Sequence, residues 1–133
     1  MNELFADTSF FVSFITPRDE NHELAAEYMS EFDGRIITTA LILVELANYL
    51  SRTSERRRFV PFARDLRSDK RFQILASDTQ LIDGGILEFA RTPDQKWSFT
   101  DCTSFVVMRR RKIREALTAD HHFEQAGFVR LLK

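Results

Sequence analysis

The chain has 133 residues, 44% of them hydrophobic, and a formal net charge of −1, which is the size and make-up of one soluble domain around a single core. A lone cysteine, Cys102, excludes an internal disulfide or a thiolate metal cluster and suits a small buried residue in a reducing compartment. No apolar run approaches the ~20 residues of a membrane helix, and Met1–Glu3 lacks the basic start of a signal peptide, so a cytoplasmic protein without membrane contact is expected.

In chain order, Leu4–Phe11 is an apolar run interrupted by one carboxylate, Asp7. It reads as a buried strand that gives way to a short helix over Phe10–Ile15, closed before Pro17. Asp7 then stands at the carboxyl end of the first strand, either capping the helix that follows or facing a ligand at the edge where open parallel sheets bind them. Asn21 is placed to cap a helix over His22–Phe32, with Leu24, Ala25, Tyr28, Met29 and Phe32 inward. Arg35–Thr38 reads as the second strand, and Thr39 as the cap of a helix over Ala40–Arg52. That helix is apolar nearly all round, so Glu45 in its middle calls for a cation, either an arginine or a metal ion.

Ser54–Arg71 predicts a basic amphipathic helix or helix pair, with Phe59, Phe62, Ala63 and Leu66 inward and a bend or break at Pro61. Phe72–Leu75 is a third strand. Ser77-Asp78-Thr79-Gln80 has capping-box spacing and starts a helix toward Arg91, weakened in its middle by Gly84-Gly85. Gln95–Phe99 reads as an exposed loop carrying the only tryptophan, and Thr100 as the cap of a helix that begins at Asp101, with Phe105, Val106 and Met108 inward. An acid in that position is favourable through the helix dipole alone. Ala116–Thr118 is a fourth strand with Asp120 after it, followed by one helical turn over His121–Ala126 and a last strand over Phe128–Leu131.

Alternating strands and helices predict a single α/β domain, residues 1–133, on a parallel sheet. Asp7, Glu45, Asp101 and Asp120 can all face its carboxyl edge. Acids gathered without a lysine repel unless a cation holds them, and hard oxygen donors select Mg²⁺ or Mn²⁺. His121-His122 is adjacent rather than spaced i, i+4, and reads as a surface or packing pair. The phosphate-loop, dinucleotide and nucleophile-elbow motifs are absent. Arg52–Arg71 holds eight basic residues against three acidic, and Arg109–Glu115 five against one. Such segments are either solvated helix faces or a means of holding a polyanion beside the acids.

The stretches L-F-A-D-T-S-F-F, S-F-T-D-C-T-S-F-V-V-M-R and L-T-A-D-H-H-F-E-Q-A-G-F, with Glu45 between them, resemble the PIN domain. The likeness is to the VapC-type toxins of bacterial and archaeal toxin–antitoxin pairs, and it covers essentially the whole chain. It implies a three-layer α/β/α fold with a central parallel sheet of four to five strands, and a Mg²⁺- or Mn²⁺-dependent endoribonuclease acting on RNA. By the same resemblance Asp7 and Asp101 are the direct metal ligands, Glu45 and Asp120 complete the acidic pocket, and the Ser9 and Thr100 hydroxyls bond its carboxylates. A homodimer and a VapB-like antitoxin whose tail occupies the acidic groove are implied as well. Arg111-Lys112 departs from the pattern, since relatives often turn through a glycine there. Arg109 and Arg110 are the arginines expected to contact RNA. The alternative is a catalytically idle PIN-fold module that binds RNA or protein. A phospho-acceptor receiver domain would need an acid pair after the first strand, where Ala6-Asp7-Thr8 offers one acid.

Overall fold

The structure is a computed structural model that describes residues 2–133. Five strands form one parallel sheet: β1 (Glu3–Ala6), β2 (Arg35–Thr39), β3 (Phe72–Leu75), β4 (Glu115–Leu117) and β5 (Val129–Arg130). Their order across the sheet is β3-β2-β1-β4-β5. The chain therefore builds outward from β1 in one direction, then crosses back and builds outward in the other. The reversal falls between β1 and β4, where an open parallel sheet leaves a crevice at its carboxyl edge. The register pairs Ala6 with Leu117, so the next residues, Asp7 and Thr118, meet at that crevice.

The crossovers are helical, as parallel neighbours require. α1 (Thr8–Ile15) and α2 (His22–Glu31) join β1 to β2, and α3 (Ala40–Leu50) and α4 (Phe59–Ser68) join β2 to β3. α5 (Thr79–Arg91) and α6 (Phe99–Arg111) make the return to β4, and the single turn α7 (His122–Gln125) leads to β5. Right-handed crossovers on either side of the reversal put the two helix groups on opposite faces of the sheet. Each face has its own aromatic cluster. Phe11 packs against Phe10, Phe62 and Phe72 on one, and Phe105 packs against Trp97, Phe123 and Phe128 on the other. Among the described residues, no helix is long and apolar enough to cross a membrane.

Several local expectations are corrected. Trp97 is buried, not exposed, with its ring edge-on to Phe105 and its indole N–H donating to Gln125 Oε1 at 3.1 Å. Pro61 neither bends nor divides α4. It falls in the first turn, after a 3-10 turn over Arg56–Arg58, where its missing N–H breaks no helical bond. The cap of α5 is Asp78, which accepts from the Leu81 N–H, while the Ser77 hydroxyl accepts from Leu41 N–H instead. Asn21 makes no capping bond through its side chain. Helix α3 is not buried all round, because Val44 and Tyr49 are about half exposed on its outer side. In α6 it is Val107 rather than Val106 that is fully inward.

Gly84-Gly85 does not weaken α5 but lets α6 lie against it. A Cβ on Gly85 would come within 2.6 Å of the Thr103 methyl, and one on Gly84 within 2.8 Å of the Arg110 guanidinium. Lys112 ends α6 in the left-handed conformation, φ 58°. That is the backbone state a glycine would supply at no steric cost.

Candidate active site

Asp7 occupies the N-cap position of α1 but makes no capping bond through its side chain. Its Oδ2 accepts instead from the Thr118 hydroxyl at 2.9 Å and from the Ser9 hydroxyl at 3.3 Å. The backbone completes the tie. Asp7 N–H donates to Leu117 carbonyl at 3.1 Å, Ala119 N–H to Ser9 Oγ at 2.9 Å, and Asp120 N–H to Thr118 Oγ1 at 3.0 Å. The ends of β1 and β4 are thus stitched together around one carboxylate oxygen.

Asp101 arrives from the other face, in the first turn of α6. The cap there is Ser98, not Thr100. Its hydroxyl accepts from Asp101 N–H at 3.0 Å, and Asp101 Oδ2 accepts from Ser98 N–H at 3.2 Å, a reciprocal capping box. Thr100 lines the cavity and its carbonyl accepts from the Thr103 hydroxyl, but among the described residues no hydrogen bond joins its own hydroxyl to a carboxylate. Glu45, one turn and a half into α3, is half-buried and accepts from the Thr8 hydroxyl; no arginine pairs with it among the described residues. Asp120 Oδ1 accepts from the His122 N–H at 2.9 Å, and the His122 Nδ1 stands 3.1 Å from Asp101 Oδ2.

All four acids open onto one cavity of about 820 Å³, together with Ser9 and Thr100. Its outer wall carries apolar Val12, Leu41, Val44 and Tyr49, and its rim carries Arg52 and Lys96. Arg109 and Arg110 are not there. They lie eight and nine residues along α6 from Asp101, about 12 Å down the helix. Arg109 is ion-paired with Glu88 at 3.0 Å, and Arg110 lies beside Gly84. His122 is no surface residue either, and like Thr118 and Ser98 it belongs to the site without having been expected there. The S-x-x-D spacing of Ser98 and Asp101 carried the capping signal in the sequence. Nothing local marked His122.

The electrostatics are those of acids without enough cations. The Asp7 carboxyl is pushed up from 3.8 to about 7, first by burial and then by the charge of Asp101, against the Thr118 hydrogen bond and the Thr8 amide. Asp101 is raised by burial and by the charge of Asp120, against hydrogen bonds from His122 and Ser98. Among the described residues no lysine or arginine pairs with any of the four acids; His122 and, more loosely, His121 are the basic groups near them. Oxygen donors in excess of charge, open to solvent through a wide cavity, are the donor set that a hard divalent cation takes.

The PIN domain family model matches residues 4–129. The 23S rRNA-specific endonuclease VapC20 of Mycobacterium tuberculosis is 29% identical over 126 residues, 95% of each chain. The crystal structure of that VapC20, described as a sarcin-ricin loop cleaving toxin, superposes with a TM-score of 0.88 at 28% identity, over 98% of this chain and 99% of that one. The fold is shared with VapBC2 of Rickettsia felis bound to a promoter DNA fragment, with a TM-score of 0.68, 11% identity, and 97% and 96% coverage. It is shared too with DNA-bound VapBC of Salmonella typhimurium, with a TM-score of 0.66, 17% identity, and 98% and 96% coverage. With the four acids at the switch of a five-stranded parallel sheet, this chain belongs to the PIN domain family and is similar throughout its length to the VapC-type toxins.

Proposed function

We propose that the protein is a Mg²⁺- or Mn²⁺-dependent endoribonuclease toxin that hydrolyses RNA phosphodiester bonds in the four-acid cavity. The observation that carries this reading is the pair Asp7 and Asp101, buried against one another with raised proton affinities in a cavity open to a polymer. A fold keeps such repulsion where a bound cation relieves it. Asp7 and Asp101 would hold the ion, with Glu45 and Asp120 completing the pocket directly or through water. Bound there, the ion supplies a water of lowered pKa and charge neutralisation for the phosphodiester. The chain's own part is to fix Asp7 through Thr118 and Ser9, to fix Asp101 through Ser98, and to hold the strand through Arg52 and Lys96. These two replace Arg109 and Arg110 as the phosphate contacts, because they flank the cavity and neither is ion-paired among the described residues.

The partners follow the same chemistry. The apolar wall and acidic floor suit the tail of a VapB-like antitoxin that brings a cationic side chain to the site. Ile86, Leu87 and Phe89, exposed along α5, suit a homodimer. The test is RNA cleavage by the purified protein with Mn²⁺, with Mg²⁺ and with EDTA, offering first the 23S rRNA named for the relative. Cleavage is expected with either metal and none with EDTA. Asp7→Asn and Asp101→Asn should lose it by about 10³-fold or more, an effect on the order of a lost metal or charge-stabilising group, with the melting transition intact. Full activity in either variant, or in EDTA, would leave the idle binding module as the better account.

A further inference from the structure

His122 opens α7 immediately after the turn at Asp120. Its own N–H donates to Asp120 Oδ1 at 2.9 Å, and this small turn aims the ring back into the cavity. Nδ1 then stands 3.1 Å from Asp101 Oδ2 and 3.4 Å from Asp120 Oδ1. Ionised carboxylate oxygens only accept, so a ring nitrogen set between two of them carries the proton.

Asp101 Oδ2 also accepts from the Ser98 N–H. That oxygen is therefore held from two elements at once, the start of α6 and the start of α7. Among the described residues no hydrogen bond reaches Asp101 Oδ1. At Asp7 the two hydroxyl partners likewise share one oxygen, Oδ2. At Asp101 the protein takes one oxygen and leaves the other, the arrangement by which outer partners orient a metal ligand.

We propose that His122 is a positioning residue, whose Nδ1–H donates to Asp101 Oδ2, with Asp120 beside it, and fixes the Asp101 carboxylate so that Oδ1 is offered to a divalent cation. The consequence for cation binding rests on the metal-nuclease reading above; the hydrogen bond itself does not. The side chain is half-buried, and its bulk serves packing as well, so the test has to separate the nitrogen from the volume. Asparagine places its amide nitrogen where histidine has Nδ1, glutamine places it where histidine has Nε2, and leucine keeps bulk without a donor.

Two measurements on the full chain decide it. In EDTA, nitrogen-15 spectra of the histidine rings should find Nδ1 of His122 protonated, and Asp101→Asn should shift that signal. By calorimetric titration with Mn²⁺ alone, His122→Leu and His122→Gln should bind roughly 10–100-fold more weakly than wild type, the range seen when a ligand's outer partner is lost, and His122→Asn within about 3-fold. Melting transitions establish that each variant is folded. An unprotonated Nδ1, or a leucine variant that binds Mn²⁺ as wild type does, overturns the proposal. So does an asparagine variant as weak as leucine, which would make the imidazole a ligand in its own right. A wild-type protein that binds no Mn²⁺ sinks the metal reading, and the Nδ1 signal then decides the clamp alone.

Discussion

At its amino end α6 buries Asp101 against two other acids with His122 for a partner, while at its carboxyl end Arg109 and Arg111 each meet an acid from another element. Arg109 pairs with Glu88 of α5 at 3.0 Å, and Arg111 pairs with Glu3 of β1 at 3.1 Å. Glu88 and Asp101 are both almost inaccessible to solvent, yet their proton affinities move in opposite directions. Burial alone would push the Glu88 carboxyl up, but hydrogen bonds from Arg109 and Arg91 hold it below its ordinary range. Asp101 has burial and a neighbouring acid acting together, and it rises. The difference is the partner and not the depth: the acids at one end of the helix meet arginines, and the acid at the other meets further acids and one histidine.

The sharpest way to break this contrast is to remove the unsatisfied charge. Because Asp7 is protonated more readily in the fold, near 7 against 3.8, its contribution to the cation-free protein is complete below about pH 4 and is lost as the pH rises through about 7. The loss is on the order of 4 kcal/mol. In EDTA, Asp7→Asn should flatten the fall in melting temperature between pH 4 and pH 8, and added Mn²⁺ should restore wild type but not the variant. Equal pH slopes in the two proteins would contradict the electrostatic picture.

At the satisfied end the expectation reverses. Glu88→Gln should cost about 1–3 kcal/mol, since it leaves two arginines without their acid, though both can turn to water. Urea unfolding measures it, and RNA cleavage per folded molecule should not change. The RNA contacts divide in the same way. Arg52→Gln should lower RNA affinity and reduce the salt slope by about one, whereas Arg110→Gln should leave both within experimental scatter; the reverse result would return the phosphate contacts to the far end of α6. The smallest effect is Lys112→Gly, which should stabilise the fold by about 0.5–1 kcal/mol by removing the left-handed strain without altering cleavage.

The strand ends and helix starts of this chain are punctuated by acids, and that much could be read in one dimension. Asp7 after an apolar run and Asp120 after another are placed by the sheet as soon as its strands are parallel. Glu45 follows because a helix after a strand begins at the same edge, and Asp101 because α6, the helix that leads back into β4, also begins there. Charge runs carry no such address. Arg109 and Arg110 stand eight and nine residues from Asp101 in sequence, but the helix carries them away from the cavity, and a buried glutamate from α5 pairs with Arg109. Arg52 and Lys96 are far apart in the chain and unremarkable in their segments, and only the folded cavity puts them on one rim. His122 was hidden for a third reason: a histidine beside a histidine has no periodicity, and its role depends on a turn made by its own backbone.

The stitched strand ends have a consequence for how long the molecule lasts. Asp7 is bonded to both β1 and β4, so the strain of its unrelieved charge is borne by the centre of the sheet and not by a loop. Any cation that enters the cavity, a metal ion or the basic side chain of a partner, adds its binding free energy to that of the fold. A ligand that binds the folded cavity and not the unfolded chain would raise the free energy of unfolding and slow proteolysis, so on the proposed function the occupant of the cavity would also set how long the molecule lasts.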